Sequence, residues 1–267
     1  QLGTVGSGNH YVDVFADTFG RVWVGVHFGS RGFGHTVASG FLARGTGAEW
    51  GDRVKEREVL LDLATPLGDA YWALMTLAGD YAYAGREWVA RKVAAMLGGT
   101  EVRMIHNHHN FAWKETHDGE EYIVVRKGAT PAFPGQQGFV GASMGEDAVI
   151  IEGVESDTSR AALYSTIHGA GRVMGRQDAK KGRAQRDADG NVTGRDVSTI
   201  ITREMQREWL DGKGIILRGG DVDEAPQAYR RLPDVLAAQG ETIRVLETLS
   251  PLVVVMAGRD VRAPYKD

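Results

Sequence analysis

The chain has 267 residues, enough for one large domain or two small ones with a buried core. Its 42% hydrophobic and 25% charged residues suit a soluble globular protein, and a net charge of −4 excludes a protein-wide basic field for nucleic acid, though not a local basic groove. No cysteine is present, which excludes disulfides and thiolate ligands, and no apolar run reaches the roughly 18–20 residues that a membrane helix needs. A cytoplasmic protein without a leader is expected, and any metal site must use histidine, carboxylate or amide groups.

The first 30 residues read as two strands. Tyr11, Val12, Val14 and Phe15 precede a turn over Asp17–Gly20, and Val22, Trp23, Val24 and Val26 follow it. A glycine-rich turn comes next, over 28–34. The spacing of Tyr71, Leu74, Ala78, Tyr81, Trp88, Val89, Val93 and Met96 predicts a helix over Leu67–Leu97, stopped by Gly98-Gly99. Short strands are predicted at about 101–105, 121–125 and 147–152, with a glycine-rich connection from Gly135 to Gly145 between the last two. His168–Gly171 looks like a turn opening a helix, and the polar stretch Lys180–Arg195 like an exposed loop. A helix is expected near Asp223, with Pro226 in its first turn and Pro233 interrupting it. Thr242–Val255 reads as strands around Pro251. Without a repeat or a clear linker, a single α+β domain over residues 1–267 is predicted.

The histidines carry the chemistry. Eight are present, and their contexts are not those of isolated surface residues. His10 ends Gly6-Ser-Gly-Asn-His10, where glycine lets a ligand approach the backbone. His27 ends an apolar strand and opens Phe28-Gly-Ser-Arg-Gly-Phe-Gly34, and His106-Asn-His-His109-Asn110 is expected to follow a strand. Three histidines from three strand ends could form a metal cage, since imidazole suits zinc, manganese or iron. A hydrogen-bonded turn is the plain alternative for His106–Asn110. Ser30 and Arg31, Arg126-Lys127-Gly128, and Arg172 and Arg176 past His168 all place cations beside glycine, where they could hold phosphate or serve as solvated surface charges. A helix starting at His168 would add its N-terminus to such a site.

Seven segments, in order, resemble those of a known family. They are Gly3–Asp13 (GTVGSGNHYVD), Val26–Gly34 (VHFGSRGFG), His109-Asn110, Arg126–Ala129, Ser143-Met-Gly145, His168–Arg172 and Asp223–Tyr229. Together they resemble the RtcB-type, GTP-dependent RNA-splicing ligases. The resemblance implies mixed strands around a central metal and nucleotide cleft, flanked by helices. It also implies two manganese ions, and a histidine that takes guanylate from GTP and passes it to an RNA 3′-phosphate, which a 5′-hydroxyl then joins. A 2′,3′-cyclic phosphate end would first be opened. Carried over by position, His168 is the nucleophile and His10, His27 and His109 are metal ligands. Asn9, Tyr11, Asp13, Asn110, Ser143, Gly171 and Tyr229 lie at the nucleotide, and Arg31, Lys127, Arg172 and Arg176 at phosphate or RNA. The expected partners are GTP and RNA with such ends, with room for an accessory activating protein and no membrane.

The sequence departs from the family in places. The Asp and Cys metal ligands of a DxGCG-like segment are absent, so the chain is expected to be a fragment lacking the N-terminal segment. Asp13 replaces a glutamate, Ala148 a serine, and Met256-Ala257-Gly258 the usual Lys-Gly end. These changes cluster at the guanine side. They keep open an RNA end-processing metallo-phosphodiesterase or phosphatase, or a non-catalytic RNA-binding relative.

Overall fold

A computed structural model of the chain describes residues 1–55, 57–258, 260 and 261. Strands β1 (Tyr11–Asp17) and β2 (Val22–His27) form the expected antiparallel hairpin, with Tyr11 opposite His27. Helix α1 (Arg31–Gly45) stands where the glycines predict only a turn. Those glycines serve close packing, since a Cβ at Gly34 would strike Ser30 and one at Gly40 the Trp50 indole. Helix α2 (Pro66–Met96) matches the predicted span to within one residue at each end. Thr65 accepts the Gly68 N–H at 3.2 Å, and Pro66 needs no donor in the first turn. The helix buries Ala78, Ala82, Gly85 and Val89, at four-, three- and four-residue steps. Trp88 and Met96, read as part of the apolar stripe, face outward instead, 49% and 77% exposed.

The stretch 101–105 is irregular, so the histidine cluster does not follow a strand but precedes one, β3 (Asn110–His117). β3 pairs with β4 (Glu120–Lys127) across Asp118-Gly119, both at positive φ, the geometry of a two-residue hairpin turn. β5 (Ala129–Pro131) follows, and β6 (Gln137–Val140) lies inside the predicted glycine-rich connection. β7 (Ala148–Gly153), α3 (Asp157–Ala161) and β8 (Ser165–Ile167) come next. His168–Gly175 is irregular, and α4 (Arg176–Lys181) starts eight residues after His168. The predicted loop at 180–195 is the end of α4 and a hairpin of β9 (Arg183–Arg186) and β10 (Val192–Asp196). α5 (Arg203–Asp211) and β11 (Ile216–Arg218) were not anticipated. Near Asp223 there are two 3₁₀ turns rather than an α-helix, and Pro233 opens α6 (Leu232–Ala237) instead of interrupting a helix.

The last strand, β12 (Ile243–Met256), is the spine of the main sheet, whose order is β2-β1-β12-β7-β6. Its first half pairs with β7, its second half with β11, and β1 runs along its C-terminal half. Pro251 lies within this one strand, not between two. It sits at a register shift where Val14 faces Val253 and Phe15 faces Pro251, a bulge that absorbs the missing donor. Phe15, Ala148, Ile150 and Leu249 fill one part of the core, and Val12, Phe28 and Val89 join the sheet to α2. No described helix is long and apolar enough to cross a membrane.

Candidate active site

The site is built where three chain segments meet above the edge of the β1–β2 hairpin. His27 ends β2, and its neighbour Phe28, 5% exposed, plugs into α2 against Gly85, which leaves room for the ring. Arg86, the next residue of α2, donates to the Phe28 carbonyl at 2.8 Å and to His106 Nε2 at 2.8 Å. The His106–His109 segment therefore hangs on α2 on one side. On the other, Asn107 pairs with the Phe139 backbone through both amide atoms, at 3.2 and 3.3 Å, and with Thr130 Oγ1 at 3.1 Å. This brings His109 over His27, ring centroids 4.9 Å apart, and His168 over His109 at 4.8 Å. His10 lies 6.3 Å from His27, and Tyr11 stacks on the far side of His27 at 5.3 Å.

Three of these rings, His27, His109 and His168, are held toward the neutral form. Burial holds His27 well below its ordinary range, reinforced by His109, His10 and His168. Burial, with His168 close by, lowers His109 to about 4, and burial lowers His168 too. His168 Nδ1 lies 2.6 Å from the Gly128 carbonyl, which can only accept, so Nδ1 carries the ring proton and Nε2 keeps its lone pair. Gly128 also donates its N–H to the His109 carbonyl at 2.7 Å. Its φ of 71° suits glycine, and one residue thus fixes both histidines.

Arg31 and Arg176 flank His10. The Arg31 guanidinium lies where a Cβ at Gly6 would fall, and Arg176 lies 3.1 Å from a Cβ at Gly8. Arg31 Nη1 reaches His10 Nδ1 at 3.1 Å, and its own backbone is left-handed at φ 59°, a strained conformation at the start of α1. Ser30 at the N-cap makes no side-chain cap, and the first-turn N–H of Gly32 is met by Gln1 at 3.0 Å. No helix opens at His168 as expected, and the helix N-terminus at the cleft is that of α1.

Asn9, His10, His27, Arg31, His109, Asn110, Lys127 and His168 line one cleft of about 1740 Å³, larger than a single nucleotide requires. The other expected nucleotide and phosphate residues lie behind it and are occupied by protein partners. Tyr229 and Arg172 bond at 3.0 Å, and both bond Glu224. Arg172 also donates to the Asp223 and Met174 carbonyls, at 2.7 and 3.0 Å. Arg176 pairs with Asp223 and Glu224. Ser143 donates to buried Glu146 at 2.7 Å, and the Gly171 carbonyl accepts the Arg230 N–H at 2.9 Å. Asp13 is 6% exposed, accepts the Val255 N–H at 3.2 Å, and is pushed by burial up to about 8. Ala148 is a core residue opposite Leu249, and the Ala257 carbonyl accepts the Gly220 N–H at 3.2 Å. Arg126, grouped with Lys127 as a phosphate candidate, has a side chain only 1% exposed, paired with Glu115. Its place near the end of β4 resembles that of Lys127, and only burial separates them. Sequence reasoning also missed Arg86, Asn107 and Glu224, which hold site residues in place, the first two from the lining of the cleft itself; the Asp118-Gly119 turn was the available signal for β3.

The residues fit a metal only in part. His109 Nδ1 is buried without a hydrogen-bond partner, as a ligand nitrogen would be, and the neutral rings are proper donors. Among the described residues, however, no three His, Cys, Asp or Glu side chains converge closely enough to hold an ion. The expected cage of His10, His27 and His109 is therefore not closed within this chain.

Imidazoles, a helix N-terminus and cations beside glycine thus share one cleft of an α+β domain. The family model for tRNA-splicing ligase RtcB matches residues 1–257, and the chain belongs to the RtcB family. It is 31% identical to RNA-splicing ligase RtcB of Escherichia coli K12, over 96% of this chain and 61% of that protein. RNA-splicing ligase RtcB of Mycobacterium tuberculosis is also 31% identical, over 94% and 64%. tRNA-splicing ligase RtcB of Archaeoglobus fulgidus shares 31% over 88% and 55%. The chain thus spans about three-fifths of the length of these curated relatives.

Proposed function

We propose that this chain carries the nucleotidyl-transfer centre of a GTP-dependent RNA ligase that joins RNA 3′-phosphate or 2′,3′-cyclic phosphate ends to 5′-hydroxyl ends. The observation that carries the reading is the Gly128–His168 hydrogen bond, which leaves Nε2 unprotonated on a ring lining the cleft. The Nε2 lone pair attacks the α-phosphorus of GTP, the bond to the bridging oxygen breaks, and pyrophosphate leaves. Imidazole is a competent nucleophile when neutral, and burial of His168 favours that form. An oxygen of the RNA 3′-phosphate then displaces the histidine, and the 5′-hydroxyl attacks the activated 3′-phosphate with loss of GMP. Arg31, Lys127 and the N–H groups at the start of α1 supply positive potential for the phosphates. Arg172, Arg176 and Tyr229 shape the wall behind.

Manganese is part of the proposal for the whole protein. His10, His27 and His109 would contribute imidazoles to it, with further ligands from outside the cleft described above. A cytoplasmic setting and an accessory activating protein accord with RNA repair or tRNA splicing and belong to the same proposal.

The test is incubation with manganese and GTP labelled at the α-phosphate, followed by denaturation. Acid-labile label on the wild type and none on His168→Ala is expected. Label on the variant would overturn the assignment of His168, and label from ATP alone would overturn the nucleotide.

A further inference from the structure

Behind the nucleophile lies a guanidinium whose side chain is almost wholly buried and whose hydrogen-bond partners are all protein groups. Arg126, near the end of β4, donates Nε to Ser165 Oγ at 2.8 Å and Nη2 to the Leu163 carbonyl at 2.7 Å. Nη1 and Nη2 form a fork on the Glu115 carboxylate at 2.6 and 2.9 Å, and the guanidinium lies 5.0 Å from the Trp113 ring centre. His117 meets the same carboxylate at 2.9 Å. Leu163 and Tyr164 are both left-handed, at φ 49° and 48°, an uncommon conformation for side chains of that size. Such a turn persists only where its surroundings over-determine it. The Tyr164 carbonyl also accepts the Ala132 N–H at 2.7 Å.

The topology shows what this turn serves. Leu163 and Tyr164 lead directly into β8, whose last residue precedes His168. β4 runs past Arg126 to Gly128, whose carbonyl holds His168 Nδ1. β5, which continues from Gly128, pairs with β8 in the register Ala129–Ile167 to Pro131–Ser165. The two ends of the Gly128–His168 hydrogen bond therefore belong to two strands that Arg126 fastens together.

We infer that Arg126 is a positioning residue for His168: its fork holds β4 to the Leu163–Ser165 turn and so keeps the His168 ring against Gly128. This rests on the reading of His168 as the nucleophile. Lysine in its place would keep a charge for Glu115, but a single ammonium cannot reach the carboxylate, the Leu163 carbonyl and Ser165 with Arg126's geometry.

Three variants test the inference. Arg126→Lys keeps the ion pair. Arg126→Met with Glu115→Met removes both charges, a replacement that buried pairs often tolerate in stability. Ser165→Ala leaves the ion pair whole and removes one contact. The first readout is the long-range ¹H–¹⁵N spectrum of histidine-labelled protein, with His168 assigned from its loss in His168→Gln. The wild type is expected to show a single tautomer protonated at Nδ1, and the Arg126 variants a mixture. The second readout is label transfer from GTP at saturation, expected to fall roughly 10–100-fold while half-saturation moves less than about threefold. A wild-type ring spectrum in a folded Arg126 variant overturns the inference, as does a mixed spectrum with an unchanged labelling rate. If neither Arg126 variant folds, Ser165→Ala decides, and an unshifted ring spectrum in it also overturns the inference. If the wild type takes no label, the ligase reading fails, while the ring spectrum still decides whether Arg126 sets the tautomer.

Discussion

The cleft and the wall behind it are made from similar residues, yet they stand in opposite electrostatic states. In the cleft, Arg31 reaches the His10 imidazole at 3.1 Å, and His109 keeps a buried nitrogen without a partner. In the wall, Arg172, Arg176, Tyr229, Asp223 and Glu224 satisfy one another, and Glu224 is 4% exposed. An arginine paired with carboxylates is already spent on structure, whereas one that meets an imidazole and a hydroxyl keeps its charge available to an anion. The difference separates residues that act on a ligand from residues that hold the actors in place.

The largest effect should come from the cleft. His168→Ala is expected to reduce covalent labelling by roughly a thousandfold or more, with the folded state intact, read by label transfer beside circular dichroism. The wall should respond in the opposite sense. Glu224→Ala leaves two guanidinium groups without their shared carboxylate and should destabilise the protein by about 3 kcal/mol in denaturant unfolding. His10→Ala, by contrast, should change stability by less than about 1 kcal/mol. Equal losses in the two variants would erase the distinction between the regions.

Asp13 gives a pH test. Its folded pKa of about 8 lies above its ordinary value of 3.8. The folded state therefore binds the proton more tightly, and stability present below pH 4 is lost progressively as pH rises toward 8. Asp13→Asn should flatten that decline and become the more stable form at pH 9, by denaturant titration at several pH values. A wild-type curve that rises between pH 5 and 8 would show that Asp13 is not held neutral. The smallest effect is expected at Gly8. Gly8→Ala, at φ 75° and 3.1 Å from Arg176, should shift that guanidinium and weaken GTP half-saturation by roughly threefold to tenfold. Unchanged half-saturation would show that the Arg176 wall does not set the position of the nucleotide.

Much of this was legible in the residues. The β1–β2 hairpin follows from alternating apolar residues around a turn, and α2 from a three- and four-residue period ended by two glycines. His10, His27, His109 and His168 were identifiable from glycine-rich contexts and a resemblance in order along the chain, and the fold brings their rings within 6.3 Å of their nearest neighbours. The failures have physical causes. α1 was hidden because Gly32, Gly34 and Gly40 lower helix propensity, and tertiary packing on small residues overrides that. β12 continues through Pro251 because a bulge accommodates the proline, which local rules treat as a break.

Sequence by itself determined which residues can act: neutral-capable imidazoles, cations beside glycine, and no thiolate anywhere. Only the tertiary structure decided which of them are free to act. Arg126 and Lys127 are adjacent and equally charged, but strand alternation buries the first side chain against Glu115 and leaves the second exposed. Partner satisfaction depends on residues distant in the chain, as Glu224 is from Arg172, and no local pattern encodes that pairing.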